Sequence, residues 1–219
     1  MASASDPGVG CAVTAGEIES LVAAAGLLEL PPGAAEQFSS YLGLLLKWNA
    51  KLNLTAVRES EAIVRRHFLE SIQCAQSLPS VNTLLDFGSG AGFPGIPIAI
   101  CRQDIRVTMG ESQGKKAAFL REALRTLKLK AEVFDGRIET MSVERQFDAV
   151  TLRAVDNMAE ACAVGLTRLR AGGWLVVFAG GAKRDWDLLP GISWASERPI
   201  VGASGGILMM GRKISKCST

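Results

Sequence analysis

The chain has 219 residues, 48% of them hydrophobic and 21% charged, with 24 Lys and Arg against 22 Asp and Glu. That length supports one sizeable core, or one core plus a small subdomain. No apolar run approaches the ~18 residues that a membrane span requires, so a membrane protein is not expected. Five scattered cysteines (Cys11, Cys74, Cys101, Cys162, Cys217) form no CxxC, and His67 is the one histidine. This argues against a disulfide framework, a metal site and a His-centred triad, and it fits a reducing cytoplasm.

Residues 1–13 are rich in small and turn-forming types, have no basic stretch followed by an apolar one, and read as a disordered tail rather than a signal peptide. Residues 14–79 read as a helical region: EIESLVAAAGLL, AAEQFSSYLGLLLKWN and ESEAIVRRHFLESIQCAQSL, punctuated by Pro31, Pro32 and Pro79. Apolar residues recur there at helical spacing, as in Phe38, Leu42, Leu45 and Val64, Phe68, Ile72. The first basic residue is Lys47, and five acids precede it, so the rest of the chain carries 24 bases against 17 acids. A moderately basic body suits a polyanionic partner, although solvated surface charge produces the same imbalance.

From residue 80 to 219 the pattern changes. TLLDF, IRVTM, AEVF, DAVTL and WLVVFA alternate with helical or loop stretches, and SERPIV and ILMMGR then follow each other closely. Strands alternating with helices predict an α/β fold with a doubly wound, mostly parallel sheet, closed at one edge by an antiparallel hairpin.

Between the first strand and its helix lies DFGSGAGFPG, residues 86–95, with four glycines. In such sheets ligands sit beyond the carboxyl ends of the strands, at the switch point beside the first strand. Gly90, Gly92 and Gly95 spell a literal GxGxxG, the fingerprint of a nicotinamide or flavin dinucleotide. Pro94 inside the motif and Asp86 beside it speak against that reading, because a pyrophosphate would be repelled by the acid. S-adenosylmethionine carries a sulfonium and an ammonium instead, so the acid becomes an attraction and the glycines allow close backbone approach. Asp86, Gly88 and Gly90 are therefore candidate cofactor residues. Glu111, with Ser112 beside it, stands about twenty residues on at the end of the second strand, where a carboxylate can accept from both ribose hydroxyls.

The set KWNAKLNLT (47–55), RRHFLES (65–71), DFGSGAGFPGIPIA (86–99), GKKAAFL (114–120), GRIE (136–139) and FDAVTLRAV (147–155) resembles the glucose-inhibited division protein B family of bacterial methyltransferases. The resemblance runs from about residue 38 to 180. It implies a seven-stranded Rossmann-like class I methyltransferase fold, S-adenosylmethionine as cofactor, and N7 of one guanine in 16S ribosomal RNA as methyl acceptor. Gly88 and Phe93 would touch the cofactor through the loop, Ile138 and Glu139 would flank its adenine, and Arg153 would line the place where cofactor and base meet. A structural salt bridge is the alternative role for Arg153. The sequence departs from the family in three places. Glu70 stands where aspartate is usual, Leu152 replaces a small polar residue, and FAGGA lacks a lysine after the fifth strand, Lys183 being the nearest.

Guanine N7 already presents a lone pair, so its methylation needs no general base, and no catalytic acid or base is assigned. Lys47, Lys51, Arg65, Arg66, Lys115, Lys116 and Arg121 are candidate RNA contacts, since phosphate recognition needs positive charge without special geometry. A-form RNA hides N7 in a deep groove, so the guanine must come from a loop or an unstacked position, in the small subunit or its precursor. No metal or membrane is expected, and a monomer is the simple expectation. Three other readings stay open: a methyltransferase for another RNA or a small molecule, an inactive RNA-binding assembly factor, and a nicotinamide oxidoreductase. Cofactor binding and mass-mapped methyl transfer separate them.

Overall fold

The computed structural model describes residues 13–180, 189–203 and 205–214. The expected tail, apart from Val13, lies outside these residues, as do Cys11, Lys183 and Cys217. Helix α1 (Ala15–Ala24) begins with a capping box in which Thr14 accepts from the Glu17 N–H and the Glu17 side chain accepts from the Thr14 N–H. Helix α2 (Ala34–Leu52) buries Phe38, Tyr41, Leu42 and Leu45 along one stripe and ends where Asn53 turns into the left-handed region.

The third helical stretch is one continuous rod with a fault in it. α3 (Ser60–Ile63) passes through a π turn at Val64–Phe68 into α4 (Leu69–Ser77), and the Leu69 N–H bonds to the Val64 carbonyl five residues back. The apolar spacing predicts an unbroken α-helix here. One inserted residue widens the turn while Val64 and Phe68 stay in the core.

The sheet follows as expected: β1 (Thr83–Phe87), β2 (Arg106–Glu111), β3 (Glu132–Asp135), β4 (Phe147–Arg153), β5 (Leu169–Gly180), β6 (Ile192–Pro199) and β7 (Gly206–Lys213). Their order is β3-β2-β1-β4-β5-β7-β6, with β1 to β5 parallel and β7 antiparallel to both β5 and β6. Helices α5 (Gly95–Cys101), α6 (Gly114–Leu127) and α7 (Met158–Arg168) connect the parallel strands. Successive strand residues serve opposite faces. Leu84, Val107 and Ala149 join the core under α2, α4, α5 and α6, whereas Leu85, Val150 and Leu152 join the core under α7. The helices within 14–79 thus share one core with the 80–219 sheet.

Two features of this fold shape the switch point between β1 and β4. Tyr41 is fully buried on α2, stacks on Phe68 at 5.2 Å between ring centroids, and donates its hydroxyl to the Ala91 carbonyl at 2.5 Å. The glycine stretch is thereby tied to the N-terminal helices. At the far side, the turn between β6 and β7 docks on α4: the Val201 N–H donates to Gln73, whose amide donates to the Pro199 carbonyl. Tyr41→Phe keeps the ring and strands a buried carbonyl, which costs about 1–3 kcal/mol. Denaturant unfolding should show that loss, together with weaker cofactor binding; an unchanged midpoint would mean that Ala91 needs no donor.

Candidate active site

β1 ends at Phe87, and the chain must reverse over the strand ends within a few residues. Gly88, Gly90 and Gly92 adopt φ of 72°, 55° and 94°, values that a side chain would strain. Gly95 serves a different purpose. A Cβ there would lie 2.7 Å from the Asp86 carboxylate, so glycine lets the first turn of α5 sit directly on that acid. Asp86 is 1% exposed and accepts from the Gly95 N–H at 3.1 Å and the Thr151 hydroxyl at 2.9 Å. Burial raises its pKa to about 6 against the pull of these donors. Asp86 therefore pins the loop from beneath and does not open into the cleft above; its charge acts from one layer down.

That cleft has a volume of about 500 Å³, within the range for small-molecule sites. Gly88, Gly90, Phe93, Glu111, Ser112 and Arg153, six of the candidate cofactor residues, line it. Glu111 is buried at the end of β2 and receives the Gly90 N–H at 2.9 Å and the Gln113 N–H at 2.8 Å, one on each oxygen. These bonds aim the carboxylate, and each oxygen keeps a lone pair for a diol. Ile138 and Glu139 lie outside the lining. Ile138 is buried against Gly110 at the start of a short 3-10 turn (Ile138–Thr140), and Glu139 is exposed.

A second cleft of about 570 Å³ adjoins the first, and Arg66, Arg153 and Ala154 line both. Its other walls are Phe178 and Gly180 at the end of β5, Glu70, and the docked turn around Gly202. Arg153 is the partition. Its guanidinium pairs with Glu70, lies 2.8 Å from His67 Nδ1, and sits over the rings of Phe93 and Phe178 at 5.5 Å each. The pair is buried, with side chains 12% and 8% exposed; burial pushes the Glu70 carboxyl up, and Arg153 draws it back down. The structural salt bridge considered for Arg153 is thus present, and it is built into the cleft wall itself.

Sequence reasoning missed Thr55 and His67 as a unit. KWNAKLNLT builds half of it: buried Asn49 accepts from the Thr55 N–H at 2.9 Å and donates to the Val57 carbonyl, so Thr55 faces His67 Nε2 at 2.9 Å. The clustered Asn and Thr after a long amphipathic helix were the available signal. Of the candidate RNA contacts, Arg66 and Lys116 line the cofactor-type cleft. Lys47, Lys51 and Lys115 are exposed, Arg65 pairs with Glu61, and Arg121 pairs with Asp135 at 3.0 Å. Among the described residues no His, Cys, Asp and Glu cluster could hold a metal, and no helix is long and apolar enough to cross a membrane.

A parallel sheet with a reversed β7, a glycine loop after β1 and an acid at the end of β2 defines the class I methyltransferase fold. The family described as rRNA small subunit methyltransferase G matches residues 34–187, and the chain belongs to that family. Ribosomal RNA small subunit methyltransferase G of Xanthomonas oryzae pv. oryzae is 47% identical over 141 residues, which are 64% of this chain and 66% of that protein. The protein of the same name from a Roseiflexus species is 46% identical over 138 residues, 60% of this chain and 59% of that one. The matched stretch is thus under two thirds of each relative. Among solved structures, the O-methyltransferase from Bacillus cereus in complex with SAH superposes with a TM-score of 0.59 at 18% identity, covering 92% of this chain and 98% of that one. The N-methyltransferase NodS from Bradyrhizobium japonicum gives 0.53 at 17%, covering 68% and 94%. At these identities both speak for the fold alone.

Asp86→Asn separates charge from hydrogen bonding, because an amide can still accept from Gly95 and donate to Thr151. The folded-state pKa lies above the usual carboxylate value, so the wild type loses stability as pH rises through about 6. Melting curves should show Asp86→Asn more stable than wild type at pH 8, by on the order of 2 kcal/mol, with the gap closing toward pH 4. A gap that widens on acidification would contradict the burial penalty. Glu111→Ala should weaken cofactor binding by about 1.5–3 kcal/mol, measured by calorimetry, since it removes an ionised acceptor.

Proposed function

We propose that the chain is an S-adenosylmethionine-dependent methyltransferase that methylates N7 of a guanine in small-subunit (16S) ribosomal RNA. The observation that carries the reading is the state of the acids and bases around the two clefts. Glu70 is held by Arg153, Asp86 is sealed under the loop, and His67 Nδ1 faces a guanidinium. None of these three is poised to take a proton from a substrate, the other cleft acids, Glu111 and Asp156, line only the first cleft, and guanine N7 asks for no base. The curated relatives carry the name of small-subunit rRNA methyltransferases, which supports small-subunit rRNA as the substrate.

The residues fit the cofactor. Gly88 and Gly90 leave the loop backbone open to close approach, Glu111 offers two aimed oxygens to a ribose, and Asp86 lends negative potential toward a sulfonium and an ammonium. Ser112 extends the same wall. When bound, S-adenosylmethionine supplies an electrophilic methyl group for in-line displacement. The second cleft would receive the guanine, with Arg153 on the line between the two and Phe178 and Gly180 on its flank. Holding two reactants in line can contribute roughly 7–11 kcal/mol, and alignment is the work these residues can do. Positive charge moves onto the purine, and the Glu70 carboxylate beside Arg153 keeps that wall from being a bare cation. Arg66 and Lys116 at the clefts, with exposed Lys115, Lys47 and Lys51, would meet phosphates. Ile138, buried one layer behind, would support the adenine end rather than contact it, and Glu139 lies exposed outside the cleft lining. The partner is the small subunit or its precursor in the cytoplasm, met by a monomer without metal.

The test is transfer of a tritiated methyl group to small-subunit RNA, free and assembled, followed by nucleoside analysis. The expected product is 7-methylguanosine at one site. Label in another nucleoside, or none in any RNA while S-adenosylmethionine binds, would replace this reading with another acceptor or an inactive assembly factor. RNA binding should weaken steeply with salt. Lys115→Ala with Lys116→Ala should flatten that dependence, the logarithmic slope falling by about one for each phosphate no longer neutralised.

A further inference from the structure

His67 is the chain's one histidine, and the π turn presents it to the cofactor-type cleft. Its two ring nitrogens are both engaged, and their partners dictate its chemistry. Arg153 Nη2 stands 2.8 Å from Nδ1, and a guanidinium can only donate, so Nδ1 must be the unprotonated nitrogen. The proton then sits on Nε2 and is donated to Thr55 Oγ1 at 2.9 Å, an oxygen that also receives the Val57 N–H at 3.2 Å. The ring is therefore neutral and held in one tautomer. Burial first, and then the charges of Arg153 and Arg66, push its pKa down to about 3, in keeping with that geometry.

A histidine with a purely packing role would satisfy its nitrogens within the core. This one is only half-buried, packs on Phe93 at 4.9 Å, and joins Thr55 on one wall of the cleft to Arg153 on the other. We propose that His67 is a positioning residue for methyl transfer: it fixes the Arg153 guanidinium at the boundary between the two clefts. This rests on the methyltransferase reading above. Without His67, the Arg153 guanidinium would keep Glu70 and a longer 3.3 Å bond to the Arg66 carbonyl, and its plane would be less firmly set. A further acceptor on the same nitrogen, with Phe93 and Phe178 on either side, leaves one orientation. The π turn belongs to the device. It lets Arg66, His67 and Glu70 of one helix all reach Arg153, and the Ser71 hydroxyl secures the turn by donating to the His67 carbonyl at 2.7 Å.

The tautomer can be read independently of activity, because one histidine gives one set of ring signals. Nitrogen-15 spectra of the full chain, freed of any tag, should show a pyridine-type Nδ1 and a protonated Nε2 from about pH 5 to 8, without titration. The groups facing the ring are Arg153 from β4 and Arg66 and Glu70 on its own helix, and the two arginines hold it neutral. A protonated Nδ1 in that range would overturn the proposal whatever the enzyme methylates. The functional arm uses single-turnover methyl transfer to small-subunit RNA with both reactants saturating. His67→Leu, which keeps bulk and removes the acceptor, should slow transfer by roughly tenfold or more, with S-adenosylhomocysteine affinity changed by no more than about threefold. His67→Asn places an amide oxygen where Nδ1 was and should restore most of the rate. Equal rates in wild type and His67→Leu, or no recovery in a His67→Asn variant that melts like wild type, would overturn it. Absence of transfer in the wild type itself would instead refute the methyltransferase reading.

Discussion

Arg153 and Glu70 form a largely buried ion pair at the boundary between two clefts. Such a pair is costly to bury and is costlier still to break, because removing one partner strands the other at about 3–5 kcal/mol. Its neighbours gather on one nitrogen: beside Glu70, His67 and, at 3.3 Å, the Arg66 carbonyl accept from Arg153 Nη2, and the guanidinium lies over two phenyl rings. The elements that supply these groups come from distant parts of the chain. A helix from the N-terminal region, the loop after β1, and the ends of β4 and β5 all have to be in register before Arg153 has its surroundings. The π turn is where helix and sheet are reconciled. Across it Val64 and Phe68 stay in the core while Arg66, His67 and Glu70 all reach Arg153.

The glycine loop depends on the same assembly. Tyr41 holds the Ala91 carbonyl from above, Asp86 holds the Gly95 N–H from below, and Glu111 holds the Gly90 N–H from the side. Three side chains from three elements thus determine a backbone that has no side chains of its own to do so. A loop shaped before any ligand arrives loses little entropy on binding, which is how a cleft of modest size can hold a flexible cofactor.

The alternation of short β-rich runs with helical ones was enough to anticipate the sheet and its antiparallel closing pair, because those features follow from local periodicity. The position of Glu111 and the glycine loop beside a cleft at the strand ends was legible for the same reason, since both follow directly on a strand in such a fold. Asp86 was legible as an acid near the ligand but not as a sealed one, since its burial depends on α5 settling onto it at Gly95. The π turn left no trace in the pattern, as the apolar spacing of Val64, Phe68 and Ile72 suits an ordinary helix. Ile138 matched a family position, yet its side chain is packed on Gly110, a contact between residues 28 apart in the chain that no local pattern encodes. The Thr55–His67–Arg153 chain was hidden in the same way, for it joins three segments.

The account stands or falls on Arg153 acting at the reacting atoms rather than merely tying helix to sheet. Arg153→Lys preserves the charge beside Glu70 but loses the planar fork that His67 and the two rings hold in place. The most direct measurement is its single-turnover methyl-transfer rate with cofactor and ribosomal RNA both saturating, alongside their affinities. A fall of roughly a hundredfold in rate with both affinities nearly unchanged is the predicted result, as misalignment of about an ångström can cost that much. A wild-type rate with weakened RNA or cofactor binding would contradict it, and would make Arg153 a structural tie that happens to border the site.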